Sequence, residues 1–496
     1  MLFTSPEFLF LFLPAVYLGY RGLCTLPGRA GRWGVAWLLV TSLFFYAWET
    51  PAYLALIAVT IAFNYAWLRL HARRWPEPDP ADPRRRLWLA AGVAVDLGLL
   101  GYFKYRDFFL DNLGALTGQG FELAPLALPI GISFYLFQQI AVLVDTFRGY
   151  RPEAGLLRYA LFVGFFPQLI AGPIVHHRQL GPQLGRVAPP SRRNRDAAVG
   201  LSIFAVGLFK KAFVADQLAP LADGAFEQAG AGGAPGLAQA WLSVLAYTGQ
   251  IYYDFSGYSD MAVGLARMFS IRLPWNFDSP YRARSIVEFW RRWHVTLSEF
   301  LRDYLYKPLG GGRRGALRRS TNLLLTMLLG GLWHGAAWNF VLWGGLHGAL
   351  LAANHAWRRT RAAGFLARRL PRATGGLSAG LTFGAVTGAW VLFRADGLAE
   401  AGVVYASLLG WNAGPAPLLG LGELGLLLAS LGAAFALPNT RELFERDAEP
   451  DPAANPLLPA LGWRLSPLRA GLAGALVALS VLVLNDGHSP FIYFRF

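Results

Sequence analysis

Apolar runs separated by short polar loops set the pattern of this chain. The runs lie near 6–21, 33–48, 51–68, 87–103, 128–146, 157–175, 197–215, 238–254, 321–338, 339–357, 377–393, 418–437 and 468–485. Each approaches the roughly 20 apolar residues that one helical bilayer crossing takes. The pattern therefore predicts an all-α, polytopic membrane protein with about 11–13 membrane helices, short or re-entrant ones included. Trp290, Trp293, His294, Leu297 and Leu301 also recur at helical spacing, with Arg291, Arg292, Val295, Glu299 and Arg302 mostly on other faces. That spacing predicts an amphipathic helix at or entering the cytoplasmic interface. Pro308 and the glycines at 310–312 would end it.

One run carries chemistry. GGLWHGAAWNF (330–340) sets His334 among Gly, Ala, Leu, Trp and Phe, and no Asp, Glu, Lys or Arg occurs from Ser320 to Trp357. Along a continuous helix His334 lies roughly 22 Å from Arg319, and His347 lies roughly 16 Å in from Arg358. Both depths fall inside a hydrocarbon layer about 30 Å thick. An ionisable side chain there is by default a functional-site hypothesis. Imidazole is also the group best suited to proton transfer near neutral pH. A histidine beside glycines can instead hydrogen-bond a neighbouring helix, and His347 is open to that reading. His355, three residues from Arg358, and His176 and His177, ahead of a basic loop, fit interfacial positions.

Composition narrows the classes. The 496 residues are 54% hydrophobic and 15% charged, against roughly 25% charged in soluble domains. A soluble fold would need one core far larger than single domains build. The first run lacks a basic segment before it and a small-residue cleavage site after it, so it reads as a retained helix rather than a signal peptide. The single cysteine, Cys24, excludes an intrachain disulfide and a Cys-rich metal site. The net charge of +15 comes from Lys and Arg in the loops, which favours membrane topology over a nucleic-acid partner. Arg69, Arg73, Arg74 and Arg84–Arg86 follow the third run, and Arg358, Arg359, Arg361, Arg368, Arg369 and Arg372 precede the run at 377–393. With these loops cytoplasmic, both termini lie outside.

No metal or nucleotide signature accompanies the histidines. HExxH, a Cys pair and GxxxxGK[ST] are all missing. Arg282–Arg319 holds ten Lys or Arg against Glu288, Glu299 and Asp303. Other polar groups at or within apolar runs are Gln138, Gln139, Asp254, Asp260, Lys210 and Lys211. They suit tunnel-lining, pairing or snorkelling roles.

WRRWHVTLSEFLRDYLYKPLGG (290–311), followed by LLLTMLLGGLWHGAAWNFVLWGGLHG (323–348), resembles the membrane-bound O-acyltransferases, and within them the bacterial alginate O-acetyltransferase branch. FFPQLIAGPI (165–174), YYDFSGYSDMAVGLARMFSIRLPWNF (252–277) and the terminal FIYFRF (491–496) extend the resemblance. It implies a single membrane domain over 1–496, with a family core at about 130–357 and a last span and extracytoplasmic tail at 468–496. It implies that His334 is the catalytic histidine and His294 a second functional histidine. It further implies acetyl transfer from acetyl-CoA, as substrate and with no tightly bound cofactor, toward a polysaccharide hydroxyl outside the bacterial inner membrane. An SGNH-type extracytoplasmic acetyltransferase is the implied partner.

On this reading His334 acts as base and His294 orients the donor or stabilises developing charge. Tyr493 is a candidate acyl carrier, with an interfacial aromatic belt as the other reading of the tail. Trp290, Arg291, Arg292, Trp333, Asp254 and Asn339 are candidate substrate-binding residues. The arginines suit coenzyme A phosphates, although topology alone explains basic loops. Rival readings are D-alanyl transfer to teichoic acid from a carrier protein, a proton-coupled transporter using His334 as relay, and a structural scaffold.

Overall fold

The expected runs are helices in the computed structural model, which describes residues 1–26, 30–77, 82–121, 123–124, 126–152, 155–361, 365, 371–414, 420–445, 466–484 and 491–492. No strand occurs among them. By chain contacts the protein forms two compact units: residues 1–204 with 261–274, and residues 205–260 with 275–496.

The first unit holds α1 (Leu13–Leu23), α2 (Ala30–Ala47), α3 (Tyr53–Arg74), α4 (Pro83–Leu100), α5 (Arg106–Thr117), α6 (Ile132–Phe147), α7 (Leu156–Gly164), α8 (Phe166–Leu169) and α9 (His177–Leu180). It also takes most of α10 (Pro190–Leu208). The first run packs inward as a helix of the fold. Phe8 and Phe12 meet Phe45 and Phe166, and Tyr20 meets Phe269. The run expected at 157–175 is broken. Phe165 is extended and Pro167 sits in the first turn of α8. A continued helix would drive the Pro167 ring into the preceding turn. The freed Phe166 N–H donates to Ser42 Oγ at 3.1 Å, and Gln168 caps the Phe162 carbonyl at 2.7 Å. Such breaks persist at membrane depth only where protein satisfies the backbone. Gln139, a tunnel candidate, instead donates to Thr60 Oγ1 at 3.2 Å. His177 is buried within the protein, with Nδ1 2.9 Å from Tyr150 Oη.

The second unit contains α11 (Asp216–Gly230), most of α12 (Leu237–Met268), α13 (Ile286–Arg292), α14 (Val295–Leu301), α15 (Gly315–His334) and α16 (Trp338–Trp357). After them come α17 (Pro371–Arg394), α18 (Leu398–Leu408), α19 (Leu421–Ala436), α20 (Thr440–Phe444) and α21 (Pro467–Leu484). Helix α12 runs well beyond the apolar stretch that announced it, because its acidic residues are buried and paired. Asp260 bonds Lys210 at 2.7 Å and Thr440 at 2.5 Å, while Asp254 bonds Lys211 at 2.7 Å. A wide π-helical turn, Phe209–Ala215, presents these two consecutive lysines to different acids. α15 and α16 pack as a close hairpin. A methyl group on Gly331 would strike the Phe340 carbonyl, and one on Gly344 the Met327 carbonyl. Small residues thus let the two backbones touch.

Among the described residues, five helical stretches are long and apolar enough to cross a membrane: 53–74, 83–117, 190–230, 374–394 and 467–484. Shorter apolar helices lie at 132–147, 398–408 and 421–436. The protein is an all-α, polytopic membrane protein.

Candidate active site

The hairpin ends on His334, which is the last residue of α15; Gly335 leaves the helix in extended conformation. Its ring is buried and edge-on to three aromatic neighbours: Trp333 at 4.9 Å, Trp343 at 5.0 Å and Phe393 at 5.2 Å between centroids. Trp343 also meets His347 at 4.7 Å and stacks on Trp390 at 5.9 Å. The imidazole therefore sits in a cage of rings contributed by α15, α16 and α17.

His294 reaches the same cage by another route. The single amphipathic helix expected through 290–301 does not form. α13 ends at Arg292, and α14 starts at Val295. Between them His294 adopts φ 43° and ψ 54°, the left-handed region that side chains disfavour. The break is held from a distant segment. Asp278 N–H donates to the Arg292 carbonyl at 2.9 Å, and Val295 N–H donates to the Asn276 carbonyl at 2.9 Å. A conformation costing on the order of 1–3 kcal/mol persists only where its surroundings impose it. Here it turns the imidazole inward, edge-on to Phe255 at 4.7 Å and within 6.2 Å of Trp333. Trp333 thus touches both histidines, one on each side of the sequence motif pair.

Asn276 sets the protonation geometry of His294. Its Oδ1 faces His294 Nδ1 at 3.2 Å, Thr296 N at 3.2 Å and Thr296 Oγ1 at 2.9 Å. A backbone N–H only donates, so the amide atom at this junction is the accepting oxygen. His294 Nδ1 then carries the proton and Nε2 keeps the lone pair. His347 has the opposite tautomer. Trp290 Nε1, a donor only, reaches His347 Nδ1 at 3.2 Å, which leaves the proton on Nε2. Trp290 and His347 are both buried.

The other candidates divide. Arg292 is tied to Glu288 at 3.0 Å and to the Asp278 carbonyl at 3.1 Å. Arg291 is exposed. Asn339, in the first turn of α16, donates to the carbonyls of Leu392 at 3.2 Å and Ala395 at 2.8 Å. Its Oδ1 has no hydrogen-bond partner among the described residues. It lines a cavity of about 160 Å³ at the hairpin tip, together with Gln250, Phe340, Arg394, Asp396 and Ile492. Asp254 faces the tail. Its Oδ2 accepts from Ile492 N–H at 3.2 Å, while Oδ1 pairs with Lys211 at 2.7 Å. Phe491 stacks on Tyr258 at 4.5 Å and meets Phe255, the ring beside His294, at 5.7 Å. Tyr493 lies outside the described residues.

Asn276, Trp343, Trp390 and Phe393 escaped sequence reasoning. The signal for Asn276 was present, as the one amide in the quoted LPWNF segment, but nothing local marks its partner.

A helical membrane core that buries two histidines around one tryptophan holds groups able to move a proton inside the membrane, and comparison with known proteins specifies the class. Residues 131–393 match the model of the membrane-bound O-acyltransferase family. The chain belongs to that family and is an O-acyltransferase. It is 42% identical over 439 residues to a peptidoglycan O-acetyltransferase of Helicobacter pylori, covering 83% of this chain and 80% of the relative. It is 40% identical to a probable alginate O-acetylase of Pseudomonas putida, over 100% of both chains. A teichoic acid D-alanyltransferase of Streptococcus thermophilus is 28% identical over 249 residues, 47% of this chain and 58% of that protein.

Proposed function

We propose that this protein moves an acetyl group from cytoplasmic acetyl-CoA toward hydroxyls of a polysaccharide outside the bacterial inner membrane. The observation that carries the reading is the convergence of His334 and His294 on Trp333, beside a cavity at the hairpin tip. The names of the relatives that cover most of this chain at about 40% identity favour acetyl over D-alanyl, since the D-alanyltransferases are only 28% and 26% identical over 47% and 63% of it.

His334 takes the proton of the acceptor hydroxyl as its oxygen attacks the thioester carbonyl. The C–S bond breaks, the ester forms, and the proton passes to the departing thiolate of coenzyme A. The lone pair on His294 Nε2, fixed by Asn276, orients the donor. Exposed Arg291, Arg313, Arg314 and Arg318 supply positive charge for the donor's phosphates. On the other side, Asn339 Oδ1 and the neighbouring polar groups receive the hydroxyl-bearing acceptor. Asp254 acts as a positioning residue: it fixes Ile492, next to Tyr493, which carries the acyl group before an SGNH-type partner takes it to the polymer. Both termini are extracytoplasmic in this scheme.

The test is transfer of label from radioactive acetyl-CoA by His334→Ala protein at confirmed abundance. Loss of at least 100-fold is expected. Wild-type transfer would overturn the assignment, and transfer of D-alanine from a carrier protein in place of acetyl would replace the substrate.

A further inference from the structure

The first unit contains a cavity that the acyl-transfer reading does not use. It measures about 200 Å³ and opens at the end of α3, where Tyr65, Arg69, His71 and Trp75 meet Thr146 and Arg151 across from Tyr159. Three polar atoms of its lining are orphaned: His71 Nε2, Thr146 Oγ1 and Tyr159 Oη have no hydrogen-bond partner among the described residues. These side chains are 8%, 9% and 1% exposed. A buried hydroxyl or imidazole without a partner costs roughly 1–3 kcal/mol, so three in one cavity call for something that bonds them. At the mouth arginines predominate, although the Asp82 carboxylate accepts from Trp75 Nε1 at 2.7 Å. Arg69 and Arg151 are exposed, Arg151 donating to the Pro76 carbonyl, and Arg74 lies over the Trp75 ring at 5.4 Å.

Depth selects the kind of anion. α3 is one of the helices long and apolar enough to span the bilayer, and its last turn carries His71, Arg73 and Arg74. Leu70, just before that turn, is exposed. A cavity at this level lies where lipid phosphates lie, and basic pockets between membrane helices bind such head groups. Tyr159, Thr146 and His71 offer donors at its floor, and the two guanidinium groups suit a phosphate at its mouth. We propose that this cavity seats the phosphate head group of an anionic bilayer lipid, with its acyl chains along the outer face of α3. The chemistry, a phosphate ester, is shared with coenzyme A; the tethering depth assigns it to lipid.

The experiment titrates phosphatidylglycerol, phosphatidylcholine or coenzyme A into delipidated full-length protein in detergent. Retained ligand is counted by native mass spectrometry. Wild type should hold one phosphatidylglycerol at least tenfold more tightly than phosphatidylcholine. Arg69→Gln with Arg151→Gln should remove that preference. Tyr159→Phe, which leaves surface charge and shape unchanged, should weaken it severalfold. Equal retention of the two lipids overturns the proposal. So does a preference that survives all three substitutions, or displacement of the phosphatidylglycerol by coenzyme A. Variants are compared at wild-type helicity, which the Tyr159→Phe protein is expected to keep.

Discussion

His294 combines two features that a packing residue would not need together: a left-handed backbone and a ring whose tautomer is set by an amide oxygen. The pair yields a prediction. Asn276→Ala removes the oxygen that accepts from His294 Nδ1–H and from both donors of Thr296, and should lower acyl transfer 10- to 100-fold by releasing the ring from its position. Asn276→Asp keeps an accepting oxygen and should retain more activity than Ala, measured as labelled acetyl transferred per unit of folded protein. His294→Asn is the control for strain, because Asn tolerates the left-handed region. It should fold at wild-type yield yet remain impaired, which separates the ring's chemistry from the backbone's conformation. Equal activity of all three variants would reduce His294 to packing. The residue itself was legible in the sequence through its motif, but its conformation was not. Trp290, Trp293, His294, Leu297 and Leu301 fit one helix as well as any amphipathic stretch does. What breaks that helix is backbone pairing with Asn276 and Asp278, well over ten residues away in the chain.

At the level of elements, hydropathy found nearly every helix, since burial in lipid or in protein demands apolar residues alike. It failed in two ways, each with a physical cause. The run at 157–175 is apolar apart from Arg158 and Gln168, yet Pro167 ends the helix and side chains take over the freed backbone groups. The run at 238–254 was drawn too short, because Asp254 and Asp260 read as the edge of a span while their lysine partners lie some 45 residues earlier on α10's extension. The hairpin of α15 and α16 shows what hydropathy cannot express, the distance between two helices. Gly344→Ala would press a methyl group into the Met327 carbonyl, and backbone cannot yield as a side chain can. A loss of about 1–3 kcal/mol is expected, read as a lower midpoint of thermal unfolding in detergent. Activity should fall further than stability, since Trp343, beside Gly344, walls the His334 ring. Gly345→Ala meets only the Leu328 side chain at 3.2 Å and should be tolerated.

For the whole molecule, the proposed transfer requires access from two compartments, and the arginines predict which is which. Loops around 69–86 and 358–372 carry the basic excess, and such loops stay in the cytoplasm. The Arg-rich stretch at 282–319 would then face the donor, and the tail that begins at Phe491 would approach the acid-lysine pair and the aromatic cage from outside. Orientation is testable with little engineering, because Cys24 is the only cysteine. In a Cys24→Ser background, Ser489→Cys should react with a membrane-impermeant maleimide added to intact spheroplasts. Thr360→Cys should react only after permeabilisation. The reverse pattern would put the tail on the donor side, where Tyr493 has no acceptor to serve. The acyl group would then have to pass from the thioester to its acceptor without Tyr493, and Tyr493→Phe protein would acetylate as well as wild type.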